Sequence, residues 1–238
     1  MRLVRDTVYG LSLLVASPLL AWRLIRTGKW RTDWPGRFGR IETSEAPPVS
    51  SAGELSRTVL IHGVSVGEVN ATRTLVDELL SGEGPELRVI VSATTDTGFD
   101  RARGLYGDRL EVVRFPLDFS ASVSRFLDGV RPDVLVLMEL ELWPNLCAAA
   151  ESRGIPLVVV NGRLSEGSFR NYRLIRRLVR PMFASVEVAA VQTAVYGRRF
   201  QELGVPPDRI RVTDNMKWDT ASLADRIEGA ETLAREMG

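Results

Sequence analysis

Between residues 57 and 220, short and nearly continuous apolar runs alternate with longer stretches in which apolar residues recur every three or four positions. The runs fall at 58–64, 87–93, 110–115, 133–138, 155–160, 186–192 and 209–213. Several, such as VLVLM and PLVVV, have no polar interruption. That suits strands covered on both faces of a parallel sheet, not the alternation of a half-exposed one. Helix-patterned stretches at 68–80, 98–106, 120–127, 144–152, 169–183 and 194–203 separate them. This rhythm predicts an α/β fold, a Rossmann-like doubly wound parallel sheet over residues 57–220.

The pattern differs at the amino terminus. Residues 8–22 (VYGLSLLVASPLLAW) carry no charge, and Arg23, Arg26, Lys29, Arg31, Arg37 and Arg40 follow. The run is shorter than the roughly 20 residues of a perpendicular spanning helix, and Pro18 interrupts it. It can span by recruiting Leu24 and Ile25, lie in the headgroup layer, be cleaved as a signal peptide, or pack in a core. The mature side of a signal peptide is rarely this basic. The expectation is therefore an uncleaved membrane-anchor helix over 1–30, its basic flank cytoplasmic and facing anionic lipid. Residues 31–56, including the Ser- and Pro-rich 43–56, read as a linker, and 221–238 as a terminal helix.

Charge narrows the function. The 238 residues hold 31 Lys and Arg against 30 Asp and Glu. Bulk charge therefore does not point to a nucleic-acid partner. Cys147 is the single cysteine, which excludes an internal disulfide, and His62 is the single histidine, which excludes a His-rich metal site.

Ligands of a doubly wound sheet bind beyond the carboxyl ends of its strands, so the residues there are the candidates. The first run leads into His62-Gly63-Val64-Ser65-Val66-Gly67-Glu68, a glycine-containing turn whose backbone N–H groups suit an anion. Glu68 either caps the helix or projects into the cleft. The second ends in Thr94, Thr95, Asp96 and Thr97, hydroxyls suited to helix capping or to a hydroxylated or phosphorylated ligand. The fourth runs into Glu139-Leu140-Glu141-Leu142-Trp143-Pro144-Asn145. A carboxylate after so apolar a strand needs a partner or a function. Glu141 reads as solvated and Trp143 as core. Asn161 and Arg163 follow the fifth run, where Arg163 either binds an anion or pairs with Glu139. The last run presents Lys217 at the cleft mouth.

Together these residues resemble the transferases of Kdo (3-deoxy-D-manno-octulosonic acid), glycosyltransferase family 30. The likeness is carried by His62–Glu68, 95–98, 116–118, 139–145, 153–165, Val191-Gln192 and 215–219, in the family's order across nearly the whole chain. It implies the amino-terminal domain of a two-domain GT-B enzyme. That enzyme would transfer Kdo from CMP-Kdo to the lipid A precursor lipid IVA, with inversion and with no metal or cofactor. The site would lie on the cytoplasmic face of the cell inner membrane. Carried over by motif, Glu68 is the general base, and Glu139 and Lys217 stabilise the transition state. Ser65, Gly67, Thr95, Thr97, Asn161 and Arg163 are the candidates for holding substrate.

Three departures stand out. The second, donor-binding domain lies outside the sequence, so the chain alone is expected to be inactive. Gly36 stands where relatives often have an acid, and Asp214 where they usually have glycine. The competing reading is a membrane-tethered module that binds the lipid A precursor without catalysis. A different GT-B enzyme, such as a lipid-disaccharide synthase, lacks the pairing of SVGE with ELWPN.

Overall fold

The computed structural model describes residues 5–7, 9–11, 17, 26, 32–41, 57–82 and 87–216. Seven parallel strands form one sheet among these residues: β1 (Arg57–Gly63), β2 (Leu87–Ala93), β3 (Glu111–Arg114), β4 (Val134–Met138), β5 (Leu157–Gly162), β6 (Val186–Val191) and β7 (Ile210–Val212). Their spatial order is β3-β2-β1-β4-β5-β6-β7, and every pairing is parallel. The expected Rossmann-like sheet is therefore present. The order reverses between β1 and β4, which makes their adjacent carboxyl ends the topological switch point.

Helices cover both faces. Leu60, Ile90, Leu135 and Leu137 point to one side, against α5 (Ser120–Val130), α6 (Pro144–Ser152), α8 (Arg176–Ala184) and α9 (Ala194–Leu203). Val59, Ile61, Val89, Val91 and Val136 point to the other, against α2 (Val66–Ala71), α3 (Arg73–Ser81) and α4 (Asp96–Tyr106). Successive residues of one strand thus feed opposite layers, which is why runs such as VLVLM in β4 need no polar alternation. Two further helices are α7 (Glu166–Leu174) and the four-residue α1 (Trp34–Arg37).

Two expected helices are each divided. The 68–80 stretch forms α2 and α3 with a break at Thr72, whose buried hydroxyl donates back to the Val69 carbonyl at 2.7 Å. The 169–183 stretch begins earlier, at Glu166, and breaks at Ile175. Neither break involves glycine or proline, so apolar periodicity alone gave no warning.

Residues 32–41, at the front of the expected linker, pack on the outer edge of the sheet. Asp33 accepts from Gly36 N at 3.0 Å, and Thr32 donates to Asp96 at 2.6 Å. Arg37 and Arg114 both bond Asp96, at 3.3 and 3.0 Å; burial pushes its carboxyl up, but the Thr32 hydrogen bond and then these two cations together hold it below the usual range. Gly36 lies so close to the Arg114 side chain that a Cβ would sit 2.7 Å from it.

Most of the expected anchor, the remaining linker and the terminal helix lie outside the described residues. Among the described residues no helix is long and apolar enough to cross a membrane.

Candidate active site

Four of the strand tips hand over to their helices in the same way. Ser65 after β1, Thr95 after β2, Ser165 after β5 and Thr193 after β6 each accept from the backbone N–H three residues on. Each satisfies one of the orphan donors of a helix start.

At the β1 tip the cap closes into a reciprocal box. Ser65 Oγ donates to Glu68 Oε1 at 2.7 Å, and Val64 N donates to Oε2 at 2.9 Å. Glu68 is only 9% exposed. Serine followed three residues later by glutamate is a sequence signature of this arrangement. Each carboxylate oxygen accepts one bond and retains a lone-pair direction. The glutamate is thus oriented by its own loop. Gly67 is exposed within α2, and a Cβ there would meet nothing closer than Ser65 Oγ at 3.9 Å, so neither crowding nor backbone conformation requires glycine.

The β2 tip is tied to the β1 tip. Thr95 donates to the Val64 carbonyl through both its N–H (3.1 Å) and its hydroxyl (2.7 Å), and the hydroxyl also accepts from Gly98 N at 3.1 Å. Thr95 is therefore a strut between two loops. A Cβ at Gly98 would lie 2.8 Å from the same Val64 carbonyl, so the close approach needs glycine. Thr97 is exposed at the start of α4 and has no hydrogen-bond partner among the described residues.

The β4 tip is different. Trp143 precedes α6 and offers no side-chain cap, while Pro144 occupies the first turn. The cap comes from a distant loop: Asp118 accepts from Asn145 N at 2.9 Å and Leu146 N at 2.8 Å. Asn145 Nδ2 returns a bond to the Asp118 carbonyl at 2.7 Å, and Tyr9 donates to Asp118 at 3.1 Å. Burial nevertheless pushes the Asp118 carboxyl up to about 6, against these hydrogen bonds. Asp6 accepts from both Ser120 N (3.1 Å) and Asn145 Nδ2 (2.9 Å), so the described amino-terminal residues dock on this same junction.

Glu139 has a positive φ of 54°, as do Asn161 at 54° and Asp214 at 58°. All three follow or end strands β4, β5 and β7, and an L-residue held there costs on the order of 1 kcal/mol. Glu139 meets Arg163 at 3.7 Å, which realises the pairing considered from the sequence, with Arg163 about half exposed. Asn161 is fully buried: its Oδ1 accepts from Gln192 Nε2 (3.0 Å) and Met216 N (3.2 Å), while its Nδ2 has no partner among the described residues. Lys217, next after Met216, lies outside the described residues.

Two expectations need correction. Glu141 is not simply solvated. It is half-buried, and burial above all pushes its carboxyl up to about 7; the charges of Glu68 and Glu139 add to this, opposed by a 2.8 Å bond from Trp143 Nε1. Trp143 is not core, being 42% exposed at the same edge. Alternation on so short a loop gave no warning that Glu141, like Glu139, is half-buried.

His62 is fully buried, stacked on Phe115 with ring centroids 3.6 Å apart, and bonded to Ser92 Oγ at 3.0 Å. Burial pushes it down to about 3, so it stays neutral and structural. Among the described residues no group of three His, Cys, Asp or Glu side chains could hold a metal ion.

Carboxylates stand on the adjacent tips of β1 and β4, at the switch point of a Rossmann-like sheet, where ligands of such folds generally bind. The family model described as 3-deoxy-D-manno-octulosonic-acid transferase (kdotransferase) matches residues 32–220. The chain belongs to that family, whose members are glycosyltransferases. The 3-deoxy-D-manno-octulosonic acid transferase of Haemophilus influenzae is 31% identical over 235 residues, covering 96% of this chain and 53% of that protein. The Bordetella pertussis protein of the same description is 34% identical over 224 residues, covering 90% and 50%. The chain spans about half the length of these curated relatives. Among solved structures, the UDP-GlcNAc 2-epimerase from Neisseria meningitidis matches with a TM-score of 0.54 at 15% identity, over 76% of this chain and 53% of that one. That likeness is one of fold.

Proposed function

We propose that this chain supplies the acceptor-binding half of an enzyme that transfers Kdo from CMP-Kdo to the lipid A precursor lipid IVA, at the cytoplasmic face of the inner membrane. Residues 57–220 form the acceptor domain, and residues 1–30 anchor it. The supporting observation is the placement of Glu68 and Glu139 on neighbouring strand tips at the switch point, within a chain of this family.

In the reaction a sugar hydroxyl of the acceptor attacks the anomeric carbon of Kdo. Its proton passes to the Glu68 carboxylate as the new C–O bond forms, and CMP departs with the electrons of the broken bond. A positioned base contributes about 10²–10⁴ in rate to such a step. The box around Glu68 fixes its orientation before substrate arrives, so little reorganisation is needed. Glu139 and Lys217 place charge beside the developing oxocarbenium and the leaving phosphate. Arg163 tethers Glu139, while Asn161, Ser65 and the loop around Gly67, Thr95 and Thr97 frame the acceptor sugar. Inversion follows from the single displacement, which needs no metal.

Glu68→Gln keeps the size and one acceptor oxygen. In the complete two-domain enzyme it is expected to lower kcat at least 10²-fold with acceptor affinity nearly unchanged. Steady-state kinetics at saturating CMP-Kdo reads this, and wild-type turnover in the variant refutes the assignment.

The closed box also favours a second reading, in which Glu68 only caps α2 and the chain is a tethered binding module for the lipid A precursor. Turnover separates the two. Both readings leave the affinity for a soluble lipid IVA analogue nearly equal in wild type and Glu68→Gln, but if the chain is only a module, no completed enzyme turns over CMP-Kdo.

A further inference from the structure

The surface farthest from ordinary solubility is the elbow between α7 and α8. Leu174 is 85% exposed, Leu178 76% and Ile175 47%. The three are contiguous, since Leu178 N donates to the Ile175 carbonyl at 2.8 Å and folds the chain around this corner. The opposite side of the same elbow carries Phe169, Val179, Met182 and Phe183, all buried in the core. The exposed knuckle is therefore a second apolar face on an element that has already satisfied its first. Scattered exposed leucines are unremarkable, but a clustered set on one corner points to a partner.

The charge around the knuckle has one sign. Residues 166–184 contain Arg170, Arg173, Arg176, Arg177 and Arg180 against the single acid Glu166. Glu166 is occupied by Arg170 at 2.5 Å. Arg173 lies over the Phe169 ring, and Arg176 donates to the Glu202 carbonyl at 2.6 Å. Arg177 and Arg180 have no ion pair among the described residues. A protein interface of this size would balance such charge with acids of its own. Aliphatic side chains ringed by arginines instead match a headgroup layer, where the knuckle enters the acyl boundary and the guanidiniums meet phosphates.

We propose that the α7–α8 elbow, centred on Leu174, Ile175 and Leu178, docks into the surface of an anionic lipid bilayer. This contact is separate from the amino-terminal anchor. α7 starts three residues after Arg163, and its nine residues span roughly 13 Å. Docking therefore holds the strand-tip site close to the headgroup layer. The inference deepens the membrane location proposed above but does not depend on transferase chemistry. Its test uses lipid alone, so docking without transfer, or transfer without docking, tells the two apart.

The full 238-residue chain carries an environment-sensitive fluorophore at Leu174→Cys, with Glu78→Cys on α3 as the exposed control on the opposite face. Vesicles are phosphatidylcholine with or without 30 mol% phosphatidylglycerol (roughly the regime where basic surface patches bind). The expected result is a blue shift at position 174 only on anionic vesicles, with none at position 78. Arg173→Gln with Arg177→Gln should weaken that response by about 10–25-fold, since each arginine near an anionic surface contributes about fivefold. The proposal is overturned if position 174 stays in water while the protein is membrane-bound through its amino terminus. It is equally overturned if neutral vesicles give the same shift. In the complete enzyme bearing Leu174→Cys, protection of the introduced thiol from a water-soluble reagent without vesicles would assign the elbow to a domain contact instead. Circular dichroism melts confirm that each variant is folded before its response is read.

Discussion

The tips of β1 and β4 lie side by side, yet they are built by opposite means. After β1 the loop is self-sufficient: Ser65 caps α2, and Glu68 is held by Val64 N and Ser65 Oγ within five residues of chain. After β4 almost nothing is local. α6 is capped by Asp118 from another loop, Glu139 sits at a positive φ with Arg163 as its counterion, and Glu141 is crowded by two other carboxylates. One glutamate is pre-set by sequence neighbours, the other by the assembled sheet. A crevice between two such tips combines a rigid wall with one whose charge depends on tertiary contacts.

The contrast can be broken most directly at its two caps. Asp118→Ala removes the side-chain acceptors of two backbone N–H groups at once from a buried site, and chemical denaturation should show a loss of about 2–3 kcal/mol. Ser65→Ala removes one local cap and should cost about 1 kcal/mol. Should the serine prove the costlier of the two, the β4 tip is not the one that depends on distant contacts.

A second test is pH. Burial raises Asp118 from 3.8 to about 6 and Glu141 from 4.5 to about 7. The folded chain therefore keeps two protons that the unfolded chain has released. The associated stability is fully present below their unfolded values and is lost as pH rises through about 6 and then about 7. Glu141→Gln should remove the upper part of that loss, leaving the variant more stable than wild type at pH 8 by on the order of 1 kcal/mol. Denaturation midpoints measured from pH 5 to pH 8 (roughly bracketing both transitions) check the slope, and identical slopes in wild type and variant refute it.

The smallest effect concerns backbone strain. Asp214 is exposed and occupies φ +58°, so Asp214→Gly should raise stability by about 0.5–1 kcal/mol. A lower melting temperature in that variant means the aspartate side chain has a compensating bond.

Much of this was legible beforehand. The strands announce themselves because a sheet covered on both faces favours apolar residues at successive positions, so β4 and β5 print as nearly uninterrupted runs and the others as apolar-rich ones. The Ser65–Glu68 box was legible too, since both partners lie on one turn. The breaks at Thr72 and Ile175 were not, because a helix can end wherever the sheet behind it requires. Nor was Asp118, whose role rests on two amides 27 and 28 residues away.

The sequence by itself determined which segments pair and pack, which loops end the strands, and how the first glutamate is held, because those depend on periodicity and contacts a few residues apart. Only the tertiary structure decided that β1 and β4 are neighbours, that Glu141 is half-buried within reach of the charges of Glu68 and Glu139, and that Asp118 caps a helix it does not precede. Those outcomes rest on strand order and burial. Both arise when distant segments exclude water together, and no local stretch of chain encodes them alone.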